Sequence, residues 1–347
     1  MTKDMNEFRQ IVGEVANGRP LSVDEARTAF DIMMSGDATP SQMGAFLMAL
    51  RVRGETVDEI TAGAMTMRAK ALAIDAPPGA IDTCGTGGDA TGTWNVSTAT
   101  SFVVAACGVP VAKHGNRALS SKTGASDVLH ALGVNIDCDF SLVRKALWEA
   151  NICFLMAPRH HGAMRHVGPT RVELGTRTIF NLLGPLSNPA GTKRQLIGCF
   201  SRDWIEPMAQ VLLRLGSERV WVVHGSDGTD ELTTTGVSYV AELNDGKVST
   251  FEISPEVIGL PLATPADLKG AEPETNAAAL RAVLAGETGP FRDIVLYNSA
   301  AALVVAGKAA TLADGAEAAR QAIDSGGAVE RLEHLVRITN EPAEEKG

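Results

Sequence analysis

The chain has 347 residues, with 41 acidic against 31 basic side chains and a formal net charge of −10. That charge is opposite to the basic surface typical of nucleic-acid and membrane binders, so we expect neither kind of partner. The length allows one large domain and a smaller one, and the five cysteines lack CxxC spacing, so we expect a cytoplasmic enzyme with reduced thiols. The opening residues show no signal-peptide core, and no run is apolar enough to span a bilayer.

The first part of the chain is predicted to be helical. Capping boxes begin at Ser22, Thr39 and Thr56, each followed three positions later by Glu or Gln. Apolar residues then recur at helical spacing, as in 43–50. The sequence APPG at 76–79 interrupts this pattern and predicts a hinge between two domains.

Beyond the hinge, short β-branched or aliphatic runs alternate with alanine-rich helical patterns. The runs predict strands over 109–112, 152–156, 220–223 and 248–253, and the helical patterns predict helices over 141–150 and 207–215. This alternation is typical of an α/β domain with helices on both faces of a largely parallel sheet.

A glycine-rich segment, DTCGTGGD at 82–89, leads into a stretch without acidic residues from 90 to 126. That stretch is rich in Thr and Ser and carries the cations Lys113, Arg117 and Lys122 as well as His114. Glycines let a backbone approach a bulky anion, and N–H groups at a following helix start bind it, so we predict a site for a multiply charged phosphate ligand. Residues 85–90 also fit the loose GxGxxA dinucleotide pattern, but no acid follows about 20 residues on, which argues against nicotinamide binding.

The stretch 113–124 follows a predicted strand, where α/β folds place their ligand loops. Its cations, amide and hydroxyls between two glycines suit a phosphate approached from several sides. The alternative interpretation of this stretch is a solvated surface loop. For the glycine-rich segment at 82–89 the alternative is a tight turn after a strand.

Two further clusters are candidates for binding. The adjacent carboxylates of Asp230 and Glu231 follow an apolar run and suit Mg²⁺ shared with phosphate oxygens, although an isolated acidic turn would be the alternative. The segment 159–166 is dense in Arg and His, and Arg171 follows it ahead of an expected helix over 173–183. Its spacing fits no standard zinc pattern, so we interpret it as binding an anionic small molecule, with a hydrogen-bonded structural role open for each histidine.

Six stretches together resemble the anthranilate phosphoribosyltransferase family, which shares its fold with the pyrimidine nucleoside phosphorylases. They lie at 82–89, 95–98, 113–117, 124–129, 177–190 and 228–231, in the family's order and over most of the chain. The resemblance implies a small all-helical domain and a larger α/β domain with a mostly parallel central sheet. We expect the helical domain at 1–77, joined by helices from about 167–192, and the α/β domain at 78–166 and 193–347, with the active site in the cleft between them.

The resemblance also implies an activity. A homodimer joined through the helical domain would transfer the phosphoribosyl group of 5-phospho-α-D-ribose 1-diphosphate (PRPP) to the amine of anthranilate in tryptophan biosynthesis. Magnesium, two ions per active site, and Lys113 would stabilise the leaving diphosphate electrostatically. The amine of anthranilate is neutral at physiological pH, so no general base is expected.

The resemblance assigns roles to individual residues. Those implied for PRPP are Gly85, Gly88, Asp89, Thr93, Asn95, Val96, Ser97, Thr98, Lys113, His114, Gly115, Asn116, Arg117, Ala118, Leu119, Ser120, Ser121 and Ala125. Those implied for the metal are Ser97, Asp230 and Glu231, and those implied for anthranilate are Gly85, Asn116, His161 and Arg171.

The chain departs from the family where Gly162 replaces a usual proline and His166 a common tyrosine, in the segment implied to line the anthranilate entry route. Two alternatives to the implied activity are a nucleoside phosphorylase on the same fold and a non-catalytic relative that binds nucleic acid. The acidic pair at 230–231 favours a magnesium–diphosphate substrate over the first, and the net charge argues against the second.

Overall fold

The computed structural model describes residues 3–116 and 123–342. Its N-terminal part folds into helices α1 Lys3–Ala16, α2 Val23–Ser35, α3 Pro40–Arg53 and α4 Val57–Lys70. The three predicted capping boxes are confirmed, because Ser22, Thr39 and Thr56 each accept the backbone N–H three residues on, and that residue's side chain accepts the cap N–H in return.

In the described ranges a single sheet contains β1 Ile81–Gly85, β2 Val111–Gly115, β3 Ile152–Met156, β4 Arg194–Gly198, β5 Arg219–Gly225, β6 Ser238–Asn244 and β7 Lys247–Ile253. Their spatial order is β3-β2-β1-β4-β5-β6-β7. The pairs among β1 to β5 are parallel, whereas β6 pairs antiparallel with both β5 and β7. The predicted fold class, a helical part beside a mostly parallel α/β sheet, is therefore confirmed.

Helices cover both faces of the sheet. They are α5 Val96–Ala106, α6 Ala125–Ala131, α7 Phe140–Glu149, α8 Ala157–His160, α9 Gly168–Leu174, α10 Phe180–Leu183, α11 Ile205–Arg214, α12 Pro273–Leu284, α13 Pro290–Val305, α14 Leu312–Asp324 and α15 Gly327–Thr339. One apolar core lies between one face of the sheet and α5, α7 and α12 to α15. The second joins the opposite face and α11 to the N-terminal helices and to α10. Phe180 of α10 lies edge-on to Phe30 of α2, with ring centroids 5.9 Å apart.

The sequence predictions of individual elements have mixed outcomes. The strand at 152–156 is confirmed, and those at 220–223 and 248–253 are confirmed with slightly longer bounds. The strand predicted over 109–112 instead begins at Val111 and runs on to Gly115, because Lys113 and His114 continue the pairing with β3. The prediction of one helix over 173–183 is wrong: α9 ends at Leu174 and is capped by Gly175, which has a left-handed φ of 58°, and α10 begins only at Phe180.

The cysteines are free thiols, as expected, and four of the five are buried in the described part of the chain. Within the same residues, no helix is both long and apolar enough to cross a membrane.

Candidate active site

The candidate site lies at the carboxyl ends of β1 and β4, where successive connections leave the sheet in opposite directions. Crevices at such a reversal of strand order are the usual ligand sites of parallel sheets. Both strands end in glycine, and the backbone of Asp230 lies directly over them. A Cβ on Gly198 would be 1.6 Å from the Asp230 carbonyl oxygen, and one on Gly85 would be 2.5 Å from Asp230 Oδ2. Only glycine permits this approach.

The glycine-rich segment forms the loop between β1 and α5. Gly87 and Gly88 have φ values of 61° and 74°, which favour glycine, and the Gly87 N–H donates to Asp230 Oδ2 at 2.9 Å. Arg177 donates to the Gly88 carbonyl oxygen and lies over the Phe200 ring, 4.3 Å from its centroid. The loop therefore presents its backbone next to the acidic pair.

Asp230 and Glu231 both face backbone donors. Glu231 Oε1 accepts the N–H of Ser97 in the first turn of α5, at 3.1 Å. The loss of hydration raises the pKa of both carboxyls, and their mutual repulsion raises the pKa of Glu231 further. The two carboxylates thus lie where a helix start and a glycine loop would otherwise bind an anion.

The turn that carries the acidic pair is held by Asp227. Its Oδ1 accepts from the N–H and hydroxyl of Thr229, at 3.2 and 2.8 Å, and its Oδ2 accepts from the hydroxyls of Thr233 and Thr235, at 2.6 and 2.8 Å. Burial would raise the pKa of Asp227, but these hydrogen bonds outweigh it and lower the pKa. A Cβ on Gly225 would be 2.5 Å from Asp227 Oδ1, so the turn closes only over a glycine.

A second anchor lies immediately after the pair. Asn298 of α13, which is fully buried, accepts the N–H of Leu232 at 3.0 Å and donates to the carbonyl of the same residue at 2.9 Å. Asp227 and Asn298 together fix the backbone on both sides of residues 230 and 231.

Lys113 brings positive charge to the same place. It was expected in a loop, but it lies in β2 with 2% of its surface exposed, and its Nζ donates to the Thr83 carbonyl at 2.5 Å and to Ser97 Oγ at 3.2 Å. Burial lowers the pKa of Lys113, and the carboxylates of Asp82, Glu231 and Asp230 oppose that shift. The ammonium group therefore lies among acidic side chains and reaches the first turn of α5.

The residues expected to bind the metal fit magnesium. The carboxylates of Asp230 and Glu231 and the hydroxyl of Ser97 offer oxygen atoms of the kind Mg²⁺ prefers. In this structure the Ser97 N–H donates to Glu231 and its Oγ accepts from Lys113. Among residues 3–116 and 123–342, no three side chains of His, Cys, Asp or Glu converge into a complete metal site. The arrangement suits an ion whose other ligands are phosphate oxygens and water.

Other predicted residues line the same edge in different ways. Val96 and Thr98 are each 1% exposed, so their side chains face the core of α5. Thr93 pairs with Lys269 in an isolated antiparallel bridge, and Ala125 begins α6. The predicted residues that lie outside the described ranges are Arg117, Ala118, Leu119, Ser120 and Ser121.

His114 and His161 form a buried pair. Their Nε2 atoms are 3.3 Å apart, so one ring donates to the other. Burial lowers the pKa of His114 to about 3 and that of His161 to about 4, with neighbouring imidazoles adding to both shifts. The adjacent His160 also has a structural contact, with Nδ1 2.7 Å from the Leu72 carbonyl oxygen.

Arg171 of α9 is the candidate for an acidic acceptor. Its guanidinium carbon lies 5.4 Å from the centroid of the Phe180 ring, and burial lowers its pKa. Within the described residues, Arg171 forms no ion pair with the nearby Glu173 or with another acidic side chain. Near it, a Cβ on Gly162 would meet nothing within 4 Å, whereas the His166 ring packs onto Gly36, with Nδ1 only 2.7 Å from where a Cβ on that glycine would lie.

Sequence reasoning missed several polar side chains that support the site. The Asn188 amide donates to the fully buried Asp82 at 2.7 Å and to the Ala112 carbonyl at 2.8 Å, which ties β1 to β2. Asp227 could have been noticed from the four threonines in the eight residues after it, because such residues often close turns by side-chain hydrogen bonds. Asn188 lies within a stretch that carries the family resemblance but has no comparable local signal.

Comparison with known proteins shows the family to which the chain belongs. Residues 77–329 match the model of the glycosyl transferase family, a/b domain, and residues 9–71 match its helical bundle domain. These matches define the class as a two-part glycosyltransferase.

Particular relatives narrow the class. The anthranilate phosphoribosyltransferase of Azospirillum brasilense is 66% identical over 337 residues, which cover 97% of this chain and 94% of that protein. The crystal structure of the Thermus thermophilus enzyme of the same name has a TM-score of 0.90 at 42% identity, over 95% of this chain and 99% of that one. The Saccharomyces cerevisiae enzyme in complex with PRPP and Mg has a TM-score of 0.87 at 28% identity, over 96% and 97% of the two chains. The chain belongs to the anthranilate phosphoribosyltransferase family.

Proposed function

We propose that the chain transfers the phosphoribosyl group of PRPP to the amine of anthranilate, giving N-(5-phosphoribosyl)anthranilate and diphosphate, in tryptophan biosynthesis. The observation that carries the proposal is the meeting of Lys113, the Asp230–Glu231 pair and the start of α5 at the switch point of a parallel sheet. This is an arrangement for a phosphorylated substrate with a charged leaving group, and the family membership identifies which one.

The chemistry needs stabilisation of charge more than proton transfer. Displacement of diphosphate from the ribose builds negative charge on the leaving group, and the Lys113 ammonium and the N–H groups of Gly87 and Ser97 are placed to bind it. Those N–H groups are bonded to Asp230 and Glu231 in this structure, so binding exchanges a carboxylate for a phosphate at each of them. Magnesium supplies charge neutralisation of the diphosphate when bound.

We assign the metal to Ser97, Asp230 and Glu231, with two ions per active site. Their oxygen atoms support the assignment, since hard divalent cations take carboxylate and hydroxyl oxygens and complete their shells with phosphate. The other residues implied for PRPP remain assigned by family position, with Gly85 and Gly88 supported by the close backbone approach at the end of β1.

Anthranilate is assigned to Gly85, Asn116, His161 and Arg171. The guanidinium of Arg171 supports this, because a planar fork with no ion pair among the described residues is suited to a carboxylate. His161 would act through its ring contact with His114, since it is only 4% exposed.

The assembly is proposed to be a cytoplasmic homodimer joined through the helical domain, defined as 1–77 with 167–192. Val52 of α3 and Val172 of α9 support this interface, because these helices pack on each other and the two side chains are 82% and 80% exposed. The free thiols support a reducing compartment.

The test is a fluorescence assay. Anthranilate fluorescence should fall when the purified chain is mixed with PRPP and Mg²⁺, and the loss should require all three components. A chain that instead cleaves pyrimidine nucleosides with inorganic phosphate, and leaves anthranilate unchanged, would contradict the proposal.

A further inference from the structure

Asn276 of α12 lies outside every stretch that carries the family resemblance, yet its side chain reaches the candidate site. It is 2% exposed. Its Nδ2 donates to Asn95 Oδ1 at 2.9 Å, and its Oδ1 accepts the N–H of Ala271 at 2.7 Å. Both ends of the amide are therefore used, which is what a buried polar side chain requires.

The contacts continue into a closed ring. Asn95 Nδ2 donates to the Thr123 carbonyl at 3.3 Å, and the Thr123 hydroxyl donates to the Ala271 carbonyl at 2.8 Å. Ala271 completes the ring, because its carbonyl accepts from Thr123 and its N–H donates to Asn276 Oδ1. Among the described residues, four hydrogen bonds thus link positions 95, 123, 271 and 276.

The ring joins two parts of the site that are far apart in the sequence. Asn95 directly precedes α5, whose second residue, Ser97, contacts both Glu231 and Lys113. Thr123 directly precedes Gly124 and the start of α6, where the stretch that begins with Lys113 ends. The side chain of Asn95 is directed toward Asn276 and Thr123, so the position of the start of α5 depends on these partners.

Backbone packing fixes the same region from the other side. Gly270 donates to the Gly92 carbonyl at 2.9 Å, and a Cβ on Gly270 would lie 2.5 Å from the Thr93 carbonyl oxygen. The Trp94 ring stacks on Phe291, with centroids 5.3 Å apart. The segment before α12 is therefore held closely against residues 92–94, through contacts that do not involve the Asn276 side chain.

We propose that Asn276 is a positioning residue for PRPP: by holding Asn95 and, through it, Thr123, it sets the spacing between the start of α5 and the start of α6. The inference rests on the proposed function, because it takes PRPP as the ligand between these two parts. Asn276 itself need not touch the substrate. If the side chain served only to attach α12, its loss would lower stability and leave the affinities for both substrates unchanged.

The experiment compares Asn276→Leu and Thr123→Val with a matched control, Thr339→Val. Thr339 is a buried threonine whose hydroxyl also donates to a carbonyl, that of Leu335 at 2.8 Å, but it lies in α15, which makes no part of the site. All three substitutions keep the net charge. The measurements are KM for each substrate, the Kd of PRPP with Mg²⁺ by calorimetry, and the thermal unfolding midpoint.

We expect Asn276→Leu to raise the KM and Kd for PRPP about tenfold, since both hydrogen bonds of the Asn276 amide are lost, and Thr123→Val to raise them about threefold. The KM for anthranilate should stay within about twofold of wild type, and the double variant should be no worse than Asn276→Leu, because one ring is broken in both. Thr339→Val should lower the unfolding midpoint and leave the PRPP constants unchanged.

Two results would overturn the inference: wild-type PRPP affinity in Asn276→Leu, or equal losses for PRPP and anthranilate. If Asn276→Leu does not fold, unchanged PRPP constants in Thr123→Val would overturn it instead. Failure of the proposed function would give a different result: the wild-type chain would bind PRPP without consuming anthranilate. The comparison of Kd values for PRPP would still decide the role of Asn276.

Discussion

The end of the site proposed for phosphate (the phosphate end) and the end proposed for anthranilate (the aromatic-acid end) differ in how their charged side chains are bonded. At the phosphate end, Asp230, Glu231 and Lys113 each have protein partners: the N–H groups of Gly87 and Ser97 for the carboxylates, and a carbonyl and a hydroxyl for the ammonium. At the other end, Arg171 lies over the Phe180 ring and forms no ion pair among the described residues.

The difference indicates how each end gains affinity. A phosphate that enters the first end exchanges one hydrogen bond for another, so the net gain per bond is small and the added charge must carry the binding. A carboxylate that reaches Arg171 forms a new charge-assisted pair. We therefore expect substitutions at the phosphate end to affect PRPP and the metal, and those at Arg171 to affect anthranilate alone.

The largest effect should come from removing the charge of the acidic pair. Asp230→Asn with Glu231→Gln should lower kcat/KM by about a thousandfold or more, because the site then no longer holds the ion that neutralises diphosphate. Mn²⁺ binding in the presence of PRPP, followed by electron paramagnetic resonance, should weaken in parallel. The unfolding midpoint measured without metal should not fall, since ionised carboxyls with raised pKa values destabilise the fold. Unchanged Mn²⁺ affinity in the double variant would remove these residues from the metal site.

Next in size is the loss of Arg171. Arg171→Ala should lower kcat/KM for anthranilate about tenfold to a hundredfold, which corresponds to roughly 1.5–3 kcal/mol for a charge-assisted contact, while the KM for PRPP changes little. Arg171→Lys should recover only part of the loss, because lysine lacks the planar fork. Arg165→Ala provides the control, as its exposed guanidinium bonds to His166 near the same segment. Equal impairment toward both substrates would contradict the contrast between the two ends.

The site could be predicted from the sequence where its residues are neighbours along the chain. The glycine-rich segment, the 113–117 stretch and the acidic pair were all visible as local patterns, and the structure places the described members of all three at one edge of the sheet. Likewise the capping boxes, which depend on residues three apart, are confirmed.

What the sequence could not predict depends on partners distant along the chain. Strands β1 and β4 were missed because Asp82 and Gln195 are polar yet fully buried. Asp82 accepts from the Asn188 amide, and Gln195 Nε2 donates to the Pro185 carbonyl. A polar residue in a short run normally argues against a buried strand. The bond between Asn276 and Asn95 spans 181 residues, so no local pattern marks it.

The buried His114–His161 pair leads us to expect that stability depends on pH. The pKa of His161 is lowered from 6.5 to about 4 in the folded chain. Its contribution to the free energy of unfolding is complete above pH 6.5. That contribution is lost as pH falls toward 4, because the unfolded chain binds a proton before the folded chain does. Between pH 7.5 and pH 5 this amounts to about 2 kcal/mol of unfolding free energy. The free energy of unfolding, measured with urea, should fall by about 2 kcal/mol more in wild type than in His161→Gln between these two pH values. Parallel losses in the two proteins would mean that His161 is not held neutral.

The smallest expected effect tests whether the positions of the carboxylates of residues 230 and 231, as distinct from their charges, matter at the phosphate end. Thr233→Val with Thr235→Val removes both donors to Asp227 Oδ2, at 2.6 and 2.8 Å, while every carboxylate keeps its charge. The turn before Asp230 then loosens, and we expect the Mg²⁺ concentration for half-maximal activity and the Mn²⁺ dissociation constant to rise about threefold to tenfold. The KM for anthranilate should not change, since Arg171 lies on a different element. Thr264→Val serves as the control, because its hydroxyl also donates to an aspartate, Asp267, at 2.7 Å in an exposed turn. If the double variant binds Mn²⁺ like wild type, the charges of residues 230 and 231 suffice without the Asp227 turn, and the phosphate end is less rigidly organised than its hydrogen bonds indicate.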